Sequence, residues 1–350
     1  MINSHNNWSP LKEVWLGDVY PTSWYDHLES EVRDCFHEIT DKTKEDLTII
    51  QNKLLELGVN VCRPTYEKID DYVGADDSLV KPEICPRDYY VTIGNELYAS
   101  WGDKVSPWQE HLTKYTDHNS SSVQKILTSR KLFLNGANTV RVGKDLYFDV
   151  IDIDKREQTI KLFQEKFAPL FEQYRIHLLA NGGHCDGCFT VLKPGLILAS
   201  TYFTDYANTF PDWELINLSR PEFKSHRPPS GHNGKWWLSG MENKKSFNSY
   251  VIDHAKNWIG EYTETFFELN CLVVDEKNVL MLGENEKLFT LLQKHGITVH
   301  SVPFRTRTFW DGGLHCLTVD IRRESSMEDY FPTRGNQQLF LYEKDVICGS

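Results

Sequence analysis

The sequence predicts an α/β protein built as a repeat. Three observations predict it. Pairs of short alternating runs are joined at glycine-containing or charged turns. A segment of helical spacing follows most pairs, and a further apolar run then comes before the next pair. The order hairpin, helix, strand returns every 50 to 80 residues, which is the mark of repeated supersecondary units even where the sequence repeat is faint.

Residues 12–17 alternate as a strand. Residues 41–57 carry Leu47, Ile50, Leu54 and Leu55 along one side and read as a helix. It stops at Gly58 and is followed by the strand VNVCRP. Residues 88–100 form a hairpin about Gly94-Asn95, and residues 139–151 form another about Gly143-Lys144. A helix over 155–173 presents Ile160, Phe163, Phe167, Leu170 and Phe171. The strand YRIHLLA then leads to a third hairpin about Lys193-Pro194-Gly195. NCLVVDEKNVLML is the fourth, turning at Asp275-Glu276-Lys277. A helix over 284–294, the strand ITVHSVPF and a last strand in HCLTVDIRR complete the order. Residues 206–260, with HRPPSGHNGKWW and several Asn, read as an irregular insertion, a long loop with short helices that shapes a site entrance.

Composition narrows the function. Hydrophobic residues make up 40% and charged residues 25%, the balance of a soluble globular protein. The net charge of −12 disfavours nucleic acid and anionic lipid and suits cationic small molecules. No basic-then-apolar leader and no run of eighteen apolar residues occurs, so neither a signal peptide nor a membrane span is expected. Eight irregularly spaced Cys argue against a disulfide framework, and a reducing cytoplasm is the expected compartment.

Four segments place polar groups beside glycine or proline at strand ends: CPRD at 85–88, LNGANTVR at 134–141, NGGHCDG at 181–187 and DGGLHCLTVDIRR at 311–323. His184 and Asp186 share a face if the segment is a strand, and a His beside a carboxylate is an acid/base pair near neutral pH. Taken alone, the segment also reads as a turn with a surface His. Cys185 and Cys188 form a CxxC, but no second ligand pair with zinc spacing accompanies it, and packing is the simpler reading. Cys316 follows a Gly-Gly turn at the start of a strand, with Thr318 and Asp320 expected on its face and His315 on the other. A lone Cys is more often a small buried hydrophobe, yet His184 and nearby carboxylates offer a Cys/His site. Asp88 is either a cap or a carboxylate aimed at a cation, and with Asp186 it suits the donor fork of a guanidinium. Arg322-Arg323 reads as structural ion pairing.

The chain resembles the amidinotransferases, the family of glycine and inosamine-phosphate amidinotransferases within the guanidino-group-modifying superfamily. The resemblance is carried by NNWSPLKEVWLG, PRDYYVTIGNELY, NTVRVGKDLYF, GGHCDGCFTVLKPGLIL, NCLVVDEKNVLML and, most specifically, GGLHCLTVDIRR. Residues 206–260 and about 101–130 have no evident counterpart. The resemblance implies one domain over 1–350, an α/β-propeller (pentein) of five ββαβ modules about a pseudo-fivefold axis. It implies Cys316 as nucleophile, His184 as general acid/base, and Asp88 and Asp186 as guanidinium ligands. The reaction would move an amidino group from L-arginine to an amine, glycine or another, with no metal or organic cofactor and with ornithine released. Arginine and an amine are the implied partners, with a homodimer admitted and nucleic acid and membrane not expected. Deiminase or dihydrolase chemistry and a non-catalytic propeller are the rival readings.

Two departures from the family pattern stand out. Asn135 occupies the position of the Asp that completes a Cys-His-Asp set, and Asn138 replaces an Asp found in some members. The Arg that holds an amino-acid carboxylate shortly after the Pro-Gly turn is missing from LKPGLILASTYFTDY. Glu268, close to Asn270, stands where a small polar residue is usual and suits an acceptor bearing a second amine or no carboxylate. Asn181 keeps the family residue and is expected to contact substrate.

Overall fold

The computed structural model describes residues 1–74, 76–99, 106–116, 122–125, 134–149, 156–179, 184–200, 205–220, 223, 240–259, 267–335 and 339–342. It is a mixed α/β structure, and its described strands form five sheets.

Each sheet repeats one plan. Two strands pair antiparallel, and a later strand returns parallel to the second. The first sheet joins early strands of the chain to a late one. β1 (Leu11–Leu16) leads to α1 (Ser30–Glu56) and then to β2 (Asn60–Cys62), parallel to β1. The antiparallel partner of β1 is the late strand Thr318–Arg323. In the second sheet β3 (Tyr90–Ile93) and β4 (Glu96–Ala99) form a hairpin, α2 (Gln109–Thr116) follows, and β5 (Ser122–Lys125) lies parallel to β4. The third has β6 (Thr139–Val142), β7 (Asp145–Asp149), α3 (Arg156–Lys166) and β8 (Arg175–Leu179). The fourth has β9 (Phe189–Lys193), β10 (Leu196–Ala199), the short α4 (Tyr206–Thr209) and β11 (Glu214–Asn217). After α5 (Lys245–His254), the fifth sheet has β12 (Leu272–Asp275), β13 (Asn278–Leu282), α6 (Glu286–Lys294) and β14 (Thr298–Val302). The turn α7 (Arg307–Trp310) leads to β15, the strand Thr318–Arg323, and β16 (Leu339–Leu341) adds to the edge of β8.

The expected strands and hairpins are present, and three expectations are corrected. α1 begins eleven residues before the expected start, because Val32, Cys35, Phe36 and Ile39 extend the buried stripe that continues through Leu47, Ile50 and Leu54. The expected helix over 155–173 is α3 followed by a separate 3-10 turn, Ala168–Phe171. The stretch 206–260 holds short helices as expected, among them α5, which packs its Phe247 and Val251 into the same core as Phe36 of α1, but it also supplies a strand, β11, which pairs with β10. Within it Trp213 packs against Trp8 and Phe331, whereas Trp236 and Trp237 lie outside the described residues.

A buried ionic hub fixes the centre. Asp320, on β15, is wholly buried and accepts from Arg87, Arg141 and Arg323. The three cations also donate to carbonyls of His315, Thr318, Thr92, Ser9 and Val273. Burying guanidinium groups is costly unless their N–H donors are met, and here carboxylate and carbonyls meet most of them. The expected structural role holds for Arg323, whereas Arg322 is more exposed and lies 3.9 Å from Glu13. Arg87 thereby ties the segment before β3 to the loop that carries Cys316. Among the described residues, no helix is long and apolar enough to cross a membrane.

Candidate active site

Cys316 sits in the turn that precedes β15 rather than on the strand itself. It is 4% exposed. Asn270 grips it twice: Asn270 Nδ2 donates to Sγ at 2.9 Å, and the Cys316 backbone N–H donates to Asn270 Oδ1 at 3.0 Å. The turn is tight for a steric reason. A Cβ on Gly313 would fall 2.6 Å from Asn270 Cβ, and one on Gly312 would fall 2.8 Å from Cys85 Sγ and 3.2 Å from Cys316 Cβ.

Asp186 reaches the nucleophile from the third-to-fourth-sheet connection. It lies in a 3-10 turn, Cys185–Gly187, so the strand expected for His184, Asp186 and the CxxC is corrected. Proline-free but with Gly187 in the turn, this segment bends before β9 and aims Asp186 inward. Its Oδ2 accepts from His315 Nδ1 at 2.8 Å and from Cys316 Sγ at 3.4 Å. Its Oδ1 is buried and has no hydrogen-bond partner. Burial pushes the Asp186 carboxyl up, but the His315 hydrogen bond and the fields of His315, His184 and Arg87 outweigh it and hold it below its ordinary value. His315 is pushed down to about 4 by burial, with the Arg87 charge acting the same way, so its ring is neutral near pH 7.

Asp88 ends a second 3-10 turn, Pro86–Asp88, just before β3 rather than opening the strand. Its Oδ1 is likewise buried and unpartnered. Burial raises its carboxyl, while His184 and Lys81 pull it back and Asp186 pushes it up. His184 is exposed and lies within the electrostatic reach of Asp88, Asp186 and Asp311. Asp311 has φ 54° and ψ 59°, a left-handed conformation adopted by few residues with a side chain.

Asn135 is buried, and its Oδ1 accepts from the Asn138 backbone N–H at 2.8 Å, so its side chain holds a turn. Neither side-chain polar atom of Asn138 has a partner. Glu268 and Asn270 are both buried on the segment before β12, and Glu268 Oε1 accepts from Asn285 Nδ2 at 3.2 Å. Asn181 lies outside the described residues. The structure thus gathers Cys316, Asp186 and Asn270 by direct contact, sets Asp88 and His184 within their field, and leaves Asn135 to its own turn.

Sequence reasoning missed four groups here. His315 was assigned only to the far face of a strand, but the turn swings it onto Asp186. Cys85, Lys81 and Asp311 border the same site: Cys85 feels Asp88, Asp311 and Asp186, and Lys81 Nζ donates to the Trp310 carbonyl at 3.1 Å. The one available signal was the clustering of Cys85 and Asp311 within the singled-out segments. Chemically, two buried carboxylate oxygens without partners, beside a thiol and an exposed imidazole, suit a cationic, planar, nitrogen-bearing ligand attacked by sulfur.

No family model matches the chain. It is 22% identical to an inosamine-phosphate amidinotransferase of Streptomyces glaucescens, over 94% of this chain and 99% of that one. It is 19% identical to the mitochondrial glycine amidinotransferase of Xenopus laevis, over 94% and 85% of the two chains. The solved structure of an amidinotransferase of the saxitoxin biosynthetic pathway, from Microseira wollei, superposes with a TM-score of 0.65 at 18% identity, covering 94% of this chain and 99% of that one. That likeness shows a shared fold.

Proposed function

We propose that the chain, an amidinotransferase by its likeness to the relatives above, moves the amidino group of L-arginine to an amine through an amidino-Cys316 intermediate, releasing ornithine. The observation that carries this reading is a pair of buried, unpartnered oxygens: Asp186 Oδ1, on the carboxylate that meets Cys316 through Oδ2, and Asp88 Oδ1, on a carboxylate within the field of Asp186. A guanidinium supplies the N–H donors that both oxygens need, and its charge favours the Cys316 thiolate.

The chemistry then runs in two halves. His184 takes the thiol proton, and the thiolate attacks the guanidinium carbon. The bond from that carbon to the ornithine nitrogen breaks as His184 returns the proton to that nitrogen. A cationic amidino thioether remains on Cys316 between the two carboxylates. The acceptor amine attacks the same carbon, His184 accepts its proton, and the carbon–sulfur bond breaks to restore the thiolate. The kinetic form is ping-pong. Asn270 holds the sulfur in place throughout, through the two contacts described above.

Glycine or another amine is the acceptor, and an amino-bearing inosamine-phosphate falls within the same chemistry. The five sheets of one plan support a propeller about a pseudo-fivefold axis, formed as a single domain. Arginine and the acceptor are the partners, a cytoplasmic setting suits the free thiols, and a homodimer fits the reading. The test is incubation with arginine and a panel of amines, with products followed by mass spectrometry. Ornithine plus a guanidinylated amine is expected. Citrulline as the main product at saturating amine assigns the site to hydrolysis instead, and no product with an unreactive Cys316 assigns it to binding.

A further inference from the structure

Among the described residues, no carboxylate is hydrogen-bonded to Arg307. Arg307 opens α7, the turn that runs through Asp311, Gly312 and Gly313 to Cys316, and its carbonyl accepts from Asp311 N–H at 2.9 Å. Its guanidinium carbon lies 5.1 Å from the centre of the Phe267 ring. Its Nε is buried and has no hydrogen-bond partner. Arg305, two residues earlier, is satisfied by Asp46 and Glu45, so the same short stretch shows what a structurally committed arginine looks like.

The carboxylate whose field reaches Arg307 is Glu268, which follows the Phe267 ring in sequence and stands two residues before the Asn270 that grips Cys316. Burial lowers the Arg307 guanidinium from its ordinary value, and the field of the Glu268 carboxylate offsets part of that. Glu268 is itself fixed by Asn285 Nδ2, which also donates to the Phe223 carbonyl at 3.2 Å, while Asn285 Oδ1 caps α6. α1 anchors the Arg307 segment from behind: Asp46 accepts from the Arg305 backbone N–H at 2.6 Å, and Trp310 Nε1 donates to Thr43 at 2.9 Å. A guanidinium lying on an aromatic face keeps its N–H edge free, and that edge matches a carboxylate bidentately.

We propose that Arg307 receives the α-carboxylate of the amino-acid donor and Glu268 its α-ammonium, so that the pair selects an α-amino acid while Asp88 and Asp186 hold the guanidinium end. The inference rests on the amidinotransferase reading and names the substrate class of that site. It also answers the carboxylate-binding arginine missing after Pro194-Gly195: the cation enters from the segment before the nucleophile instead. The acceptor expectation changes with it. A site with Arg307 beside Glu268 is suited to a zwitterion rather than only to amines without a carboxylate.

The test compares L-arginine with agmatine, which lacks the carboxylate, and with Nα-acetyl-arginine, which lacks the ammonium. Binding is measured by calorimetry on the Cys316→Ser protein, where no turnover is needed, and ornithine release by the parent enzyme is measured separately. Arg307→Gln is expected to weaken arginine roughly ten- to a hundredfold and to leave agmatine unchanged, with partial recovery in Arg307→Lys. Glu268→Gln is expected to weaken arginine and leave Nα-acetyl-arginine unchanged. Circular dichroism and melting of each variant establish that it is folded. Equal loss for arginine and agmatine, or no loss for either, in a folded Arg307→Gln protein overturns the assignment. Turnover of arginine by the parent with unchanged arginine-over-agmatine selectivity in the variant overturns it while leaving the transferase reading intact. Absence of binding of any guanidine overturns both.

Discussion

Asn270 holds Cys316 by both atoms of its amide, Nδ2 to the sulfur at 2.9 Å and Oδ1 to the backbone N–H at 3.0 Å. One side chain thus fixes the sulfur and the turn that presents it. Asn270→Ala leaves a buried N–H without a partner and frees the sulfur, a loss of about 1–3 kcal/mol, which is about ten- to a hundredfold in rate. Asn270→Asp keeps the acceptor but sets a negative charge against the sulfur, which disfavours the thiolate. Both variants are expected to slow alkylation of Cys316 by a haloacetamidine, the Asp form most strongly at neutral pH. Unchanged labelling rates in folded variants would remove Asn270 from the site.

The glycines of the nucleophile turn carry a steric prediction. A methyl at Gly313 meets Asn270 Cβ at 2.6 Å, near the backbone, and cannot be relieved by a side-chain rotation. A methyl at Gly312 meets Cys85 Sγ at 2.8 Å, an atom that can be removed. Gly313→Ala and Gly312→Ala are therefore both expected to lose most activity, and adding Cys85→Ala is expected to recover a substantial part only in the second. Arginine-dependent ornithine release in the two single and two double variants checks this, and recovery in neither background would place the clash elsewhere.

Acid stability follows from the buried histidines. The pKa of His315 is about 4 in the fold and 6.5 unfolded, so folding favours the neutral ring. This contribution is complete above pH 6.5 and is lost as pH falls from 6.5 through 4. It is worth on the order of 3 kcal/mol. His177, held between Asp145 and Tyr342, is shifted to about 4 in the same direction and adds to the same window. Asp186, depressed in the fold, is lost only at lower pH, below the ordinary carboxylate range. Urea denaturation at pH 7 and pH 5 is expected to show a smaller drop for His315→Gln than for the parent. An equal drop would mean that His315 does not charge on unfolding in this range.

Strands were the legible part of the fold, because period-2 runs such as Tyr90–Ile93 and Phe189–Lys193 are bounded by turns that glycine at positive φ makes unambiguous, as at Gly94 and Gly195. The start of α1 was less so, since acidic and basic residues between Val32 and Ile39 dilute a stripe that only the packed core reveals. Within the site, Cys316, Asp88 and Asp186 were marked by glycine and proline beside them. His315 was not, because the turn rotates it away from strand alternation, and neither was Arg307, which lies between the expected strand ITVHSVPF and the segment that begins at Asp311. Their partners, Asp186 and Glu268, lie 129 and 39 residues away in sequence.

Asn135 offers the sharpest test of how this site works without the family's Asp at that position. In the structure its Oδ1 accepts from the Asn138 N–H at 2.8 Å. Asn135→Asp keeps that acceptor and exchanges only the amide nitrogen for an oxygen, so the turn survives. The resemblance to the amidinotransferases implies that a carboxylate at this position supports the imidazolium of the general base. If the general base lacks that support now, turnover at neutral pH rises and the acid limb of kcat/KM shifts. If the site is instead organised around the neutral side chain, a buried charge without a partner lowers activity and stability together. We expect the first outcome. A pH–rate profile of both proteins, with their melting temperatures, separates the two, and superimposable profiles would show that position 135 serves the turn alone.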